Sequence, residues 1–201
     1  MKILIFGGFL GAGKTTVILQ MAKHMVHMDP GVMSRIVILE NEIGSASVDD
    51  KTIAGTGARV ETLFSGCVCC TMAGELIANI EYIKKRFDPE WIILETTGMA
   101  YPSKVKSMIL DAYPDMDCRL FCLVDAKRWM RMQKVPELKE FSGEQLEDAD
   151  AVLVNKCDLV DAEELEKVDR SVKEINDRPQ MVHIVASEEI AKETWDRIFE
   201  R

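Results

Sequence analysis

The stretch GGFLGAGKTT at residues 7–16 joins an apolar segment, residues 2–7, to a segment whose apolar residues have helical spacing. From Gly8 to Thr15 it matches the pattern G-x-x-x-x-G-K-[ST], placed between a predicted strand and a predicted helix as that pattern requires. Its glycines allow backbone N–H groups to curl around phosphates at the positive end of the helix. The alternative is an ordinary glycine-rich turn. The strand and helix context favours a phosphate-binding loop.

We expect this loop to bind the phosphates of a nucleotide. Lys14 would reach the β- and γ-phosphates, Thr15 would bind Mg²⁺, and Thr16 would lie near the α-phosphate. The remaining nucleotide-binding positions of the loop are Gly8, Gly11, Ala12 and Gly13.

Apolar runs of strand length alternate with helical patterns along the rest of the chain. The strand candidates are residues 2–7, 35–41, 59–64, 91–96, 119–125, 151–155 and 181–185. Apolar residues spaced by three and four predict helices near residues 18–28, 72–83, 159–176 and 188–199. A solvated helix is expected over residues 138–150, which are rich in Glu and Asp. This alternation predicts an α/β fold, a P-loop NTPase three-layer sandwich with a mostly parallel central sheet.

Composition limits the class of protein. The 201 residues are 47% hydrophobic and 29% charged, which suits a single globular domain over residues 1–201. The net charge of −9 argues against binding to nucleic acid or to an anionic membrane. No apolar run reaches transmembrane length, and the start MKILIF lacks a cleavage site, so we expect a cytoplasmic protein. Its partners should be proteins, small molecules or cations.

The tetrapeptide Asn155-Lys156-Cys157-Asp158 follows the strand candidate at 151–155. A carboxylate at Asp158 can accept hydrogen bonds from N1–H and the exocyclic amine of guanine, whereas adenine would leave it unpaired. Alone, such a tetrapeptide is usually a polar turn. Beside a phosphate-binding loop it predicts GTP and GDP as ligands, with Asn155, Lys156 and Asp158 at the base.

The strand candidate at 91–96 runs into Glu95-Thr96-Thr97-Gly98. Nucleoside triphosphatases place an acid here for the Mg²⁺ shell and a glycine whose N–H can contact the γ-phosphate. We therefore assign Lys14, Thr15 and Glu95 to catalysis, Thr15 and Glu95 to Mg²⁺, and Gly98 to the nucleotide. The absence of a dedicated general base from the sequence pattern predicts slow hydrolysis.

Five motifs in fixed order carry a resemblance to a known family. They are GGFLGAGKTT, ENEIG at 40–44 with VDD at 48–50, GCVCC at 66–70, ETTG at 95–98 and NKCD at 155–158. In this order they resemble the CobW-type GTPases, relatives of the nickel-insertion GTPases of urease and hydrogenase maturation. Many CobW-type proteins carry a second, C-terminal domain, and we expect none here. The resemblance to the nickel-insertion proteins also suggests a possible homodimer.

The resemblance assigns a transition-metal site to the GCVCC segment. Its thiolates are Cys67, Cys69 and Cys70, and the acidic residues at Glu40 and Glu42 would lie close to them. Thiolates are soft ligands suited to Zn²⁺, Ni²⁺ or Co²⁺, and three of them leave a fourth position open. Two alternatives remain: the cysteines are small buried apolar residues, or they form a redox pair.

The function that the resemblance implies is that of a GTP-hydrolysing metallochaperone. Its nucleotide state would be coupled to the binding and delivery of a transition metal, or of a metal cofactor, to a client that is a metalloprotein or a cofactor-dependent protein. The alternative is a regulatory GTP switch that gates a partner enzyme or its cofactor, with structural or redox-active cysteines.

Overall fold

A computed structural model describes residues 1–28, 35–40, 59–62 and 73–199 of the chain. Its strands are β1 (Lys2–Gly8), β2 (Ile36–Glu40), β3 (Arg59–Thr62), β4 (Trp91–Glu95), β5 (Asp117–Asp125), β6 (Ala151–Asn155) and β7 (Gln180–Ile184). Its helices are α1 (Lys14–Met28), α2 (Ala73–Phe87), α3 (Pro102–Ala112), α4 (Ala126–Met132), α5 (Pro136–Leu146), α6 (Ala162–Ile175) and α7 (Lys192–Phe199). A short 3₁₀ helix covers Cys157–Leu159.

The strands form one sheet in the order β3-β2-β4-β1-β5-β6-β7. Every neighbouring pair among these strands is parallel. Parallel strands with helices on both sides are buried on both faces, which explains why they read as continuous apolar runs.

The central strand β1 shows how the core is divided. Ile3 and Ile5 belong to one apolar cluster, and Leu4 and Phe6 belong to the other, since successive side chains point to opposite faces. Helices α2, α3, α4 and α6 contribute to the first cluster, and α1 and α7 contribute to the second. The three-layer α/β sandwich with a parallel sheet is thereby confirmed.

The predicted strand bounds differ from the observed ones by no more than two residues where the structure describes both ends. Helices α3 and α4 were not predicted. The helix expected near residues 138–150 is α5, and the expectation that it is solvated was wrong. Its acidic residues Glu137, Glu140 and Glu144 are exposed on one side, while Phe141 and Leu146 are buried on the other.

The carboxyl ends of the strands meet at one edge of the sheet. Phe6 of β1 pairs in register with Glu95 of β4, and Glu95 pairs in turn with Glu40 of β2. On the other side of β1, Asp125 of β5 is in register with Asn155 of β6. Ligands of such sheets bind beyond this edge, so the loops that follow these residues form the candidate site.

Candidate functional site

The loop between β1 and α1 has the conformation that its glycines permit. Gly8, Gly11 and Gly13 all have positive φ, and that of Gly13 is 102°. A Cβ on Gly13 would lie 2.4 Å from the side-chain nitrogen of Asn155. Both the φ angle and the close approach of Asn155 therefore require glycine at position 13.

Lys14 begins α1 and points back into this loop. Its side chain is buried, and Nζ donates to the carbonyl oxygens of Gly8 at 2.9 Å and Phe9 at 3.4 Å. Burial lowers the pKa of the Lys14 ammonium, and the nearby carboxylate of Glu95 opposes that shift. The loop thus holds a cation against carbonyl oxygens, which phosphate oxygens can replace.

Thr15 and Glu95 form the part of the site suited to a divalent cation. The Thr15 hydroxyl lies 3.0 Å from Oε1 and 2.9 Å from Oε2 of Glu95, within hydrogen-bonding distance of both oxygens. Hydroxyl and carboxylate oxygens are the hard ligands that Mg²⁺ prefers. This donor set fits the predicted magnesium site.

Asn155 connects three loops at the edge of the sheet. Its side chain is buried, with Nδ2 donating to the carbonyl of Ala12 at 2.8 Å. Its Oδ1 accepts from the backbone N–H of Lys156 at 2.8 Å and from that of Ala186 at 2.9 Å. Asn155 therefore fixes the phosphate-binding loop against the loops after β6 and β7.

Lys156 also holds the phosphate-binding loop. The residue is left-handed, with φ 65°, and its Nζ donates to the carbonyl of Gly11 at 2.7 Å. The same ammonium pairs with Oδ2 of Asp125, also at 2.7 Å. Lys156 is thus engaged by the protein itself, whereas Asp158, two residues later, is exposed.

These groups surround one cavity of about 850 Å³. The cavity is lined by predicted residues of all three motifs, namely Gly11, Gly13, Lys14, Thr15, Thr16, Glu95, Gly98, Asn155, Lys156 and Asp158. Two predicted residues of the loop, Gly8 and Ala12, are not among its lining residues. Instead, their carbonyls accept hydrogen bonds from Lys14 and Asn155.

Several residues of the site were not predicted from the sequence. Ala186 and Ser187, after β7, line the same cavity. Asp125 is buried, pairs with Lys156 and accepts a hydrogen bond from the backbone N–H of Arg128. Arg128 in turn donates to the carbonyl of Leu10. The available signal was positional, since Asp125 and Ala186 lie at or just beyond the carboxyl ends of predicted strands.

The predicted transition-metal site falls largely outside the structure. Cys67, Cys69, Cys70 and Glu42 lie outside the described residues, and for Glu40 the backbone alone is described, at the end of β2. Within the described ranges, no group of three or more His, Cys, Asp or Glu side chains is arranged to hold a metal ion. The assignment of these five residues stays a prediction.

In the part of the chain that the structure describes, no helix is long and apolar enough to cross a membrane.

Known proteins are similar to this chain in sequence. The family model described as "CobW/HypB/UreG, nucleotide-binding domain" matches residues 2–183. The zinc chaperone YjiA of Escherichia coli (strain K12) is 30% identical over 191 residues, which cover 88% of this chain and 55% of YjiA. The chain spans about half the length of the curated relatives it matches.

Solved structures show the same fold at lower identity. The hydrogenase maturation factor HypB from Archaeoglobus fulgidus superposes with a TM-score of 0.65 at 18% identity, covering 100% of this chain and 89% of HypB. The Zn(II)-bound YjiA GTPase from E. coli gives a TM-score of 0.64 at 22% identity, covering 96% of this chain and 60% of YjiA. With the family match over residues 2–183, this chain belongs to the CobW/HypB/UreG family of nucleotide-binding domains.

Proposed function

We propose that this chain is a GTP-hydrolysing metallochaperone that couples its nucleotide state to the binding and delivery of a transition metal. The observation that supports GTP binding and hydrolysis is the set of residues that lines a single cavity. Lys14 lies in it beside the Thr15 and Glu95 pair, and Asp158 lines it as well. Groups suited to phosphates, to Mg²⁺ and to a guanine base therefore share one site.

Hydrolysis in this site depends on positioning and charge. On nucleotide binding, the Lys14 ammonium exchanges its carbonyl partners, Gly8 and Phe9, for phosphate oxygens. Thr15 and Glu95 would hold Mg²⁺, which when bound offsets negative charge on the β- and γ-phosphates. Among the described side chains that line the cavity, Glu95 is the carboxylate on the phosphate side that could act as a general base, and it is already bonded to the Thr15 hydroxyl. Slow turnover follows.

The transition-metal part of the proposed function is supported by the chemistry of the GCVCC segment and by the names of the related proteins. Cys67, Cys69 and Cys70 would bind the cargo as thiolates, with Glu40 or Glu42 as a further ligand. Since YjiA is named a zinc chaperone, Zn²⁺ is the first cargo to test, ahead of Ni²⁺ and Co²⁺. The client would be a metalloprotein, and a homodimer would allow a second chain to fill the open metal position.

Coupling requires that GTP and GDP favour different conformations with different affinities for the metal. Glu40 ends β2 in register with Glu95 of β4, so the backbone of the predicted metal ligand and that of the Mg²⁺ ligand are neighbours in the sheet. This adjacency supports a conformational coupling between the nucleotide site and the predicted metal site through neighbouring strands. The cytoplasmic location and the single domain over residues 1–201 stay predictions.

The test is a titration of the apo-protein with Co²⁺, whose thiolate charge-transfer absorption reports bound sulfur. The wild-type protein should show the band, and its Co²⁺ affinity should differ between GDP and a non-hydrolysable GTP analogue. The double variant Cys69→Ser/Cys70→Ser should lose about two orders of magnitude in affinity, because two of three thiolates are removed.

A matched control is Cys118→Ala, which removes a buried thiol at the start of β5, and it should keep the band. If the wild-type protein gives no thiolate band, or if the double variant gives the same band, the metallochaperone function is wrong. Equal affinity for Co²⁺ with GDP and with the GTP analogue would contradict the coupling to nucleotide state but not the metal site. A GTP-binding protein without a metal band would instead fit a regulatory GTP switch.

A further inference from the structure

The turn that follows β4, residues 96–100, carries the glycine predicted to contact the γ-phosphate. At its start, the backbone N–H and the hydroxyl of Thr96 both donate to the carbonyl of Phe6, at 3.0 and 2.9 Å. At its end, the N–H of Ala100 donates to the carbonyl of Thr97 at 3.1 Å. Gly98 therefore lies within a turn whose first residue is tied to the central strand.

Gly98 lies directly against the phosphate-binding loop. A Cβ added at this glycine would be 2.4 Å from the backbone nitrogen of Leu10 and 2.8 Å from its Cα. These are main-chain atoms, which cannot swing aside as the end of a flexible side chain can. The position of the turn and the position of the loop are therefore linked.

Gln145 holds the turn through two hydrogen bonds. It lies near the end of α5, is 2% exposed, and does not line the cavity. Its Nε2 donates to the carbonyl of Gly98 at 3.1 Å and to that of Ala100 at 3.3 Å. Both N–H groups of one buried amide are thus used on two carbonyls of the turn.

The same helix also packs against both loops through Phe141, one turn before Gln145. The ring of Phe141 makes edge contacts with Phe9 of the phosphate-binding loop and with Tyr101, which follows the turn. Both pairs of ring centroids are 5.2 Å apart. Helix α5 therefore contacts each of the two segments that would meet a γ-phosphate.

We propose that Gln145 is a positioning residue that sets the Gly98 turn for the γ-phosphate and so allows the protein to distinguish GTP from GDP. The inference rests on the proposed GTP site. GDP has no γ-phosphate, so its affinity does not depend on a contact with the turn. Loss of the two hydrogen bonds from Gln145 should then weaken the binding of the triphosphate and leave the binding of GDP unchanged. Only such a difference between the two nucleotides can shift the protein from one state to the other.

The experiment compares dissociation constants of GDP and a non-hydrolysable GTP analogue, both with Mg²⁺, for wild type and Gln145→Met. Methionine has a similar length and cannot donate a hydrogen bond. The analogue should bind about tenfold more weakly to the variant, a typical size for coupling between two groups. The affinity for GDP should stay at the wild-type value.

Gln133→Met is the matched control. The Nε2 of Gln133 donates to the hydroxyl of Ser142 at 2.8 Å, and Ser142 lies on α5, the helix of Gln145. The change therefore removes an amide donor near α5 without removing a hydrogen bond to the turn. Both nucleotides should bind this variant as they bind wild type. If Gln145→Met does not fold, Gln145→Asn retains an amide but shortens its reach, and the same selective loss is expected.

The two hypotheses fail in different ways. A folded Gln145 variant that binds GDP and the analogue with the wild-type ratio would overturn the role of Gln145 alone, whether both affinities fall together or neither changes. A wild-type protein that binds no guanine nucleotide would overturn the proposed function, and the inference with it.

Discussion

Asp158 and Asn155 belong to the same tetrapeptide but have different surroundings. The amide of Asn155 is buried and bonded to backbone groups of Ala12, Lys156 and Ala186. Asp158 is exposed on the wall of the cavity. At the scale of single residues, Asn155 therefore holds the loops of the site together, and the carboxylate of Asp158 stays open to the cavity, as its predicted contact with the base requires.

Asp158 is predicted to select the guanine base. Asp158→Asn should weaken GTP binding by about two to four orders of magnitude, because two hydrogen bonds to a charged acceptor are lost, each contributing about 1.5–3 kcal/mol. An amide can donate to the extra carbonyl of xanthine, so the variant should prefer xanthosine triphosphate. Phosphate release from GTP and from xanthosine triphosphate, measured for wild type and variant, checks the reversed nucleotide preference. A wild-type protein that hydrolyses ATP as well as GTP contradicts the guanine assignment.

Residues of the site were predictable where their role depends on a local pattern. Lys14 and Thr15 follow the glycines within one motif, and the loop between a strand and a helix constrains what they can do. Asp125 and Ala186 could not be assigned in that way. Their partners, Lys156 and Asn155, are distant in sequence and become neighbours only when the ends of β5, β6 and β7 are placed side by side.

At the scale of elements, Gln20 joins α1 to the loop after β7. Its Nε2 donates to the carbonyls of Ala186 and Glu188, both at 2.7 Å, and its Oε1 accepts from the N–H of Ile190 at 2.8 Å. Helix α1 begins with Lys14, and Ala186 lines the cavity. One side chain therefore connects the helix that carries the predicted phosphate-binding residues to a loop on the cavity wall.

Gln20→Leu should destabilise the protein and loosen this loop. Three backbone groups lose their partner, and each of them that stays buried and unsatisfied costs about 1–3 kcal/mol in free energy of unfolding. Urea denaturation of the apo-protein measures that cost, and the dissociation constant for GDP should rise in parallel. Lys23→Ala, at an exposed position of the same helix, should change neither quantity. Wild-type stability and GDP affinity in Gln20→Leu would show that these hydrogen bonds are not needed.

The elements were predicted to different degrees for a physical reason. A parallel strand buried on both faces must be apolar throughout, so β1, β4 and β6 are visible as short apolar runs. Helix α3 buries few apolar residues, chiefly Val105 and Ile109, so its periodicity is weak. In α5 the acidic residues of the outer face dominate the composition and conceal a buried face.

At the scale of the whole molecule, the core contains ionisable groups that the fold keeps neutral. Burial raises the pKa of the Cys118 and Cys122 thiols to about 12. In the unfolded chain these thiols ionise near their ordinary pKa of 9.0. Between these values the native state binds more protons than the unfolded state, so stability falls as pH rises.

Alkaline unfolding tests this account. The free energy of unfolding, measured with urea from pH 8 to pH 11 with reductant and chelator, should decrease above pH 9. Each fully buried thiol contributes a slope of about 1.4 kcal/mol per pH unit. Cys122→Ala should start from a lower stability, because it leaves a cavity, but should decline less steeply. Parallel pH profiles for the variant and wild type would show that Cys122 does not contribute.

The central place of β1 in the sheet has a consequence for synthesis on the ribosome. Its neighbours are β4 and β5, whose first residues in register with Lys2 are Trp91 and Asp117. Translation adds about 5–20 residues per second, so this apolar strand waits on the order of ten seconds before both partners exist. During that interval Ile3, Leu4 and Ile5, all buried in the finished fold, remain open to chaperones and to other nascent chains.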